Sequence, residues 1–441
     1  MEERVPDPKD KQTEMTSGEH RTKKRKLLWL IAGSVVAAVL VVVAVVLLAK
    51  GSDKKEDSGK ERNRDTASEQ SGTPNSSVFM QQYGQGCKQR DVTFSSAPMK
   101  MEELSYIRPL GAVSDSHVTP TDHVYIGGPN ANAADNTYAV LMPADGTVTD
   151  VGAMPAQYIG DRAGQQVAPE DHRIVISHSC RYFSIYIHIH KLGDKLKEKV
   201  GALQPNQSKR IDLELKAGDV VGYIGGSTFD WTPIDTTVTL PGFITPSLYE
   251  GESWKIHTVS PFDLYTGELK NKLETRSLRS VAPLGGKIDY DQRGKLVGNW
   301  FREGSGGYSG NNANNEGRYW DGHLSVASDY IDPAYTIVSI GNWTGSAAQF
   351  LVSGTVDPAK IAEADGMVKY ELKKLNYVGP NSQAGTGISY AKGMHPNQDE
   401  AVQGTIAFQV LPGEKLKVEK FPGKTAAQVA AFTNAAQTYT R

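Results

Sequence analysis

The chain has 441 residues, and its 48 basic and 50 acidic side chains nearly cancel. This balance gives no reason to expect nucleic acid or another highly charged molecule as a partner. The 44 glycines favour a turn-rich β protein.

The most apolar stretch lies near the N-terminus, from Leu27 to Ala49, and contains no charged residue. It is longer than the roughly 20 residues that a helix needs to cross a bilayer, so it predicts one transmembrane helix over 27–49. Basic residues cluster within 21–26, whereas both signs mix after Ala49, which favours a cytoplasmic N-terminus. A cleaved signal peptide is the alternative, but its apolar core would be shorter. We therefore expect a single-pass cell-membrane protein with extracytoplasmic main domains.

Polar and charged sequence flanks this predicted helix. Residues 1–26 are expected to form a disordered cytoplasmic tail, and residues 50–77 a flexible stalk. Folded structure is expected from Val78 onwards. Short runs rich in Val, Ile and Tyr, separated by turn residues, predict a mainly β fold with domains at 78–267 and 284–441. The last segment, KTAAQVAAFTNAAQTY, has a helical pattern and predicts a terminal helix.

The sequence contains two cysteines, Cys87 and Cys180. In an oxidising compartment they are expected to pair, because free thiols are a liability outside the cell. Sequence alone does not fix the distance between them, so two separate thiols remain the alternative.

Three hairpin-like segments follow one another in the first β domain: VLMPADGTVTDVG, IVISHSCRYFSIYIHI and LKAGDVVGYIGGST. Their order and spacing resemble the M23 (LytM or lysostaphin type) zinc peptidases, which share the duplicated-hybrid-motif fold with lipoyl-like barrels. The resemblance covers about a quarter of the chain. It implies a β-barrel for this domain. It also places His188 where the family has a Tyr-x-His histidine that helps to activate water.

The resemblance departs from the family at the metal ligands. Members hold zinc with a His-x-x-x-Asp pair and the second histidine of a terminal His-x-His, leaving an open position where bound water is acidified. His123 takes the first ligand's place, but Gly127 stands where the aspartate is expected. His257 alone lies where the terminal pair is sought. The eroded motif predicts a domain without zinc and without hydrolysis.

The remaining histidines leave an alternative open. His188 and His190 are two residues apart on a predicted strand, so they share one face. They form a candidate metal site to which His123 or His257 adds a third ligand. The competing interpretation is a pair of barrel-face histidines satisfied by hydrogen bonds.

Other constellations argue against further catalytic sites. The adjacent pairs Asp122–His123 and Asp171–His172 are expected to point apart on extended backbone. No Ser-His-Asp arrangement is visible in the sequence. In the second domain, KLVGNWFREG resembles the Gly-x-Trp that opens a lipocalin-type barrel, and Trp300 is expected to be a core aromatic residue of a β-barrel or sandwich.

These patterns support three functional hypotheses. The first is a membrane-anchored protein whose degenerate, non-catalytic M23-like barrel binds or scaffolds at the cell envelope. The second is an active zinc peptidase or peptidoglycan hydrolase that uses a rearranged set of histidines. The third is a small-molecule or glycan binder that acts through the C-terminal β domain. The expected partners are the membrane and a cell-wall glycan, peptide or envelope protein.

Overall fold

The computed structural model describes residues 78–155, 170–311, 318–354, 357–379 and 391–441. The chain divides into two compact units, and all described residues belong to the second, which spans 72–441. The predicted cytoplasmic tail, transmembrane helix and stalk lie outside the described residues. Within the described part of the chain, no helix is long and apolar enough to cross a membrane.

The first half of the described chain contains ten strands, whose bounds are β1 Tyr106–Arg108, β2 Val124–Gly127, β3 Tyr138–Leu141, β4 Gly146–Ala153, β5 His172–Ser177, β6 Tyr182–Ile189, β7 Lys191–Leu192, β8 Ser208–Leu215, β9 Val220–Ile224 and β10 Thr228–Asp235. Seven of them form one sheet in the order β1-β2-β10-β6-β5-β4-β8. The other three form a small sheet in the order β3-β9-β7. All pairings are antiparallel, as alternating apolar and polar residues favour.

The two sheets enclose the main core of this half. Phe229 and Trp231 on β10 pack with Val140 on β3 and Ile224 on β9, and all four are buried. The prediction of a barrel in this half is therefore wrong in detail. The described strands form two separate sheets that face each other across an apolar layer, with β1 and β8 left as edges of the larger sheet.

Three α-helices lie in this half: α1 Val78–Tyr83, α2 Asp194–Val200 and α3 Gly267–Thr275. Helix α1 covers the outer face of the large sheet, where Phe79 packs edge-on against Phe183 of β6. Short 3-10 helices span 246–252, 255–257 and 261–264. The predicted disulfide is present: Cys87, just after α1, is bonded to Cys180 in the turn between β5 and β6.

The second half contains ten further strands: β11 Gly298–Arg302, β12 His323–Ser328, β13 Thr336–Ile340, β14 Ala348–Val352, β15 Val368–Lys374, β16 Tyr377–Val378, β17 His395–Pro396, β18 Val402–Leu411, β19 Lys415–Pro422 and β20 Gln437–Thr440. Eight of them close into a barrel in the order β11-β12-β13-β14-β15-β18-β19-β20. Pairing of β11 with β20 closes it. Short 3-10 helices span 307–309, 319–322, 363–365 and 426–428. The mainly β fold is confirmed, and it includes a closed eight-stranded barrel.

Large side chains fill the barrel. Trp300 is fully buried, as expected, and its indole N–H donates to the carbonyl of Leu296 at 2.8 Å. The guanidinium of Arg441 lies 4.0 Å from the centre of the same ring. Phe408 and Leu324 add to this interior. This packing argues against a ligand cavity inside the barrel.

The predicted terminal helix is wrong. Its sequence forms only a 3-10 turn at Ala426–Gln428 and the strand β20. Val429 is buried against Phe421 instead of continuing a helix. The amide and hydroxyl of Thr433 donate to Glu419 of β19, which holds the segment extended against the barrel. Tertiary pairing overrides the helical pattern here, because β20 is the strand that closes the barrel.

Candidate functional site

Strand β10 brings the candidate site together. It lies between β2 and β6, and Asp230 is in register with Tyr125 on one side and Ile187 on the other. His123 precedes β2, and His188 follows Ile187 directly. The register therefore places one carboxylate between two imidazoles that are 65 positions apart in sequence.

The two rings face this carboxylate with the same nitrogen. Nε2 of His123 lies 3.4 Å from Oδ2 of Asp230, and Nε2 of His188 lies 3.7 Å from the same oxygen. His123 and Asp230 are buried, while the His188 side chain keeps 18% of its surface exposed. The cluster is thus open to solvent mainly along His188.

A β-bulge sets the direction of His188. The register between β5 and β6 shifts after His172, and His188 adopts φ 66°. A non-glycine residue in this left-handed region is strained, and such residues gather at functional sites. The bulge also separates the two histidines that were predicted to share a face. That prediction is wrong, because period-2 alternation does not continue through a bulge.

Each ring is oriented by a second carboxylate. Nδ1 of His188 donates to Asp171 at 2.8 Å, and Nδ1 of His123 lies 3.1 Å from Asp122. Asp122 also accepts a 2.7 Å hydrogen bond from the indole of Trp254. The expectation that Asp122 and His123 point apart is wrong, because the pair lies in a bend ahead of β2 rather than on extended backbone.

The pKa values in this cluster follow from its charges. Burial opposes ionisation of Asp122, but the Lys255 ammonium and the hydrogen bond with His123 hold its pKa well below the usual range. Burial also opposes protonation of His123, yet the Asp230 and Asp122 carboxylates outweigh it and raise the pKa of His123. The cluster therefore favours an ionised Asp122 beside a protonated His123.

Three further groups border the cluster. Lys255 is buried, donates to the carbonyl of Pro120 at 2.8 Å and lies 4.9 Å from the ring centre of Tyr308. Burial and the nearby Asp122 raise the pKa of Glu252 to about 7. Burial, together with the charges of His123 and Lys255, lowers the pKa of His117 to about 3.

The cluster shares some features with a zinc centre but lacks its ligand set. The Nδ1–carboxylate pairs orient both rings, and Nε2 of His123 and Oδ1 of Asp230 are buried without a hydrogen-bond partner among the described residues. However, no group of three or more His, Cys, Asp or Glu side chains able to hold a metal occurs in the described part of the chain. The residues do not fit the three-ligand zinc site of the family.

The other predicted ligands lie apart. Nδ1 of His257 donates to the carbonyl of Val238 at 2.6 Å. Nδ1 of His190 bonds Asp135 at 2.7 Å, and its Nε2 lies 3.2 Å from the hydroxyl of Ser227. Of the four histidines proposed from the sequence, only His123 and His188 come together.

Sequence reasoning missed Asp230, and it considered Asp122 and Asp171 only as partners of the histidines next to them in sequence. Asp230 alternates with the core residues Phe229 and Trp231 along β10, which is the signal for a polar residue on the opposite face.

Comparisons with known proteins do not identify a family for this chain. No family profile and no curated protein matches the chain. Among solved structures, the chain is similar to the NMR solution structure of lysostaphin, with 9% identity over 73% of this chain and 80% of that chain. The TM-score of 0.16 is below the level at which two folds count as the same, so the likeness is distant.

Proposed function

We propose that this protein is a membrane-anchored, extracytoplasmic binding or scaffolding protein whose M23-like half does not act as a zinc peptidase. The observation that carries the proposal is Asp230. Its carboxylate takes the space between His123 and His188, so the two imidazoles face a protein anion rather than a ring of three metal ligands. The anchor is the apolar stretch at 27–49, and the stalk at 50–77 holds the β domains away from the membrane.

A polar cleft supports the binding role. It has a volume of about 370 Å³ and lies between the end of α1 and the outer face of β4, β5 and β8. Arg173 reaches across it to the hydroxyl of Tyr83, and Arg210 reaches the carbonyl of Gln82. Nε of Arg173 is buried without a hydrogen-bond partner among the described residues. Hydroxyl- and amide-rich ligands, such as cell-wall glycans or peptides, match this lining.

The second candidate is a zinc peptidase with a rearranged ligand set. The observation in its favour is that two buried atoms, Nε2 of His123 and Oδ1 of Asp230, make no hydrogen bond with the described residues. Elemental analysis separates the two candidates. We expect the full-length protein, purified in detergent and incubated with zinc, to retain far less than one equivalent after gel filtration, and to leave glycine-rich and cell-wall peptides uncut.

One equivalent of zinc that is lost in both His123→Ala and Asp230→Asn would overturn the proposal. Asp235→Asn is the matched control, because Asp235 lies on the same strand but pairs with Arg181. The binding role is tested by titrating the protein with soluble peptidoglycan fragments. Arg173→Ala should weaken that binding at least tenfold, whereas Lys374→Ala, an exposed change on the barrel, should leave it unchanged.

A further inference from the structure

A second polar constellation lies at the end of β6, apart from the cluster around Asp230. His190 lies next to the short strand β7, and its side chain is only 10% exposed. Asp135 accepts a 2.7 Å hydrogen bond from its Nδ1. This bond keeps the proton on Nδ1 and leaves the Nε2 lone pair facing the Ser227 hydroxyl at 3.2 Å. Serine, imidazole and carboxylate thus stand in the order that activates a serine nucleophile.

Main-chain packing holds the three residues in place. The amide of Gly226 donates to the carbonyl of Ala133 at 2.9 Å, which joins the turn before β10 to the loop before β3. A Cβ at Gly225 would lie 2.9 Å from Oδ1 of Asp135, and a Cβ at Gly226 would lie 2.0 Å from the carbonyl oxygen of Ala131. Only glycines allow so close an approach, so the Gly-Gly-Ser turn is what brings Asp135 to His190.

The sequence concealed this arrangement. Asp135 lies in a loop, His190 follows a bulged strand, and Ser227 lies in a turn, so no linear motif connects them. No Ser-His-Asp arrangement is visible in the sequence, yet the fold brings Ser227, His190 and Asp135 together.

We propose that Ser227, His190 and Asp135 form a metal-independent acyl-transfer site that cleaves small, uncharged carboxylic esters. The substrate class follows from the surroundings, which are glycine and small alanine residues at 131, 133 and 134, with Asp135 already engaged. Residues this small and this closely packed leave space for a short acyl group at most, and the side chains hydrogen-bonded to His190 in the described part of the chain include no cation that would bind an acidic one. This proposal does not depend on the proposed function, because it uses neither Asp230 nor the cleft.

The chemistry balances with water as the only co-reactant. Oγ of Ser227 attacks the acyl carbon while its proton passes to Nε2 of His190. The bond from carbon to the alcohol oxygen breaks, and His190 gives that proton to the departing oxygen. Water then adds to the acyl-serine through the same histidine, which releases the acid and restores the hydroxyl.

The test uses the full-length protein in detergent with EDTA throughout, so zinc plays no part in it. A fluorophosphonate probe should label the wild type on one serine, identified by peptide mass mapping, and p-nitrophenyl acetate should be hydrolysed. Ser227→Ala should abolish both signals. Ser346→Ala, which changes an exposed serine between β13 and β14, should retain both. Asp135→Asn should slow labelling at least about 100-fold, the usual contribution of an oriented general base.

Three outcomes would overturn the proposal: a folded wild type that takes no label, label that persists in Ser227→Ala, or an Asp135→Asn variant that labels at the wild-type rate. Each variant is checked for its Cys87–Cys180 bond and its unfolding temperature, so a misfolded variant is recognised and replaced by Ser227→Gly. Zinc retention measured in the separate experiment bears only on the proposed function.

Discussion

The two halves of the described chain use their interiors differently. The barrel encloses a single apolar filling built around Trp300, whereas the first half buries a chain of charged groups that runs from Asp122 through His123 to Asp230. A filled apolar interior stabilises a fold but offers no chemistry. Buried charges cost stability unless they are paired, and proteins place them where function needs them. The first half therefore carries the candidate sites.

The largest expected effect is on the stability of the barrel. Trp300→Ala removes the central barrel side chain and should lower the free energy of unfolding by about 3–5 kcal/mol, the usual cost of truncating a buried aromatic residue. Urea unfolding measures it. Val402→Ala, at a position that is 37% exposed, is the control and should change stability by less than about 0.5 kcal/mol. A loss below about 1 kcal/mol for Trp300→Ala would mean that the barrel core is not what stabilises this half.

The next largest effect is on the stability of the first half. Replacing both Cys87 and Cys180 by serine removes a cross-link that spans a sequence separation of 93. The loss should be about 2–4 kcal/mol, because the unfolded chain regains loop entropy. The measurement is urea unfolding with and without a reducing agent. The reductant should destabilise the wild type and leave the double variant unchanged; an equal response in both would refute the stabilising role.

Acid should weaken both halves through buried histidines. Burial lowers the pKa of His323, beside the barrel, to about 3 and that of His178, in the first half, to about 4. The unfolded chain protonates these groups below pH 6.5, whereas the folded chain does not. Above pH 6.5 the free energy of unfolding does not depend on these two groups, because they are neutral in both states. As the pH falls from 6.5 towards the pKa values of the folded state, each group lowers the free energy of unfolding by about 1.4 kcal/mol per pH unit. Unfolding at pH 7, 6 and 5 should give a shallower loss in His323→Gln than in the wild type. Parallel curves would exclude this cause.

Asp230→Asn is expected to change stability least. It acts directly on the protonation of the polar cluster. Removing that carboxylate should lower the pKa of His123, because Asp230 is the largest charge that opposes the effect of burial. Histidine ring signals followed by NMR against pH report the change. Asp235→Asn, on the same strand, should leave the His123 titration as it is. An unchanged His123 titration in Asp230→Asn would mean that the two groups are not coupled.

Local patterns in the sequence predicted the strands, the disulfide and the burial of Trp300, because each depends on alternation or on residue type. The sequence could not predict the bulge at His188 or the pairing of His190 with Asp135, since both depend on how distant segments pack. The terminal segment failed for the same reason: its alanine-rich helical pattern is local, but the barrel needed β20 in order to close. The alternation of Asp230 with the core residues of its strand was visible in the sequence, but alternation alone does not show that its carboxylate meets His123 and His188.

The bond between Cys87 and Cys180 has a mechanical consequence. Tension applied at the N-terminal end of the described chain passes through α1 to Cys87 and crosses there to the turn between β5 and β6, inside the large sheet. The segment between the two cysteines, with its separation of 93, cannot lengthen while the bond holds. Strands β1 to β5 lie on that segment, together with Asp122, His123, Asp135 and Asp171 of the two candidate sites. Tension at the N-terminal end would therefore bypass these four residues and pass on to the part of the chain after Cys180, which carries His188, His190 and Asp230.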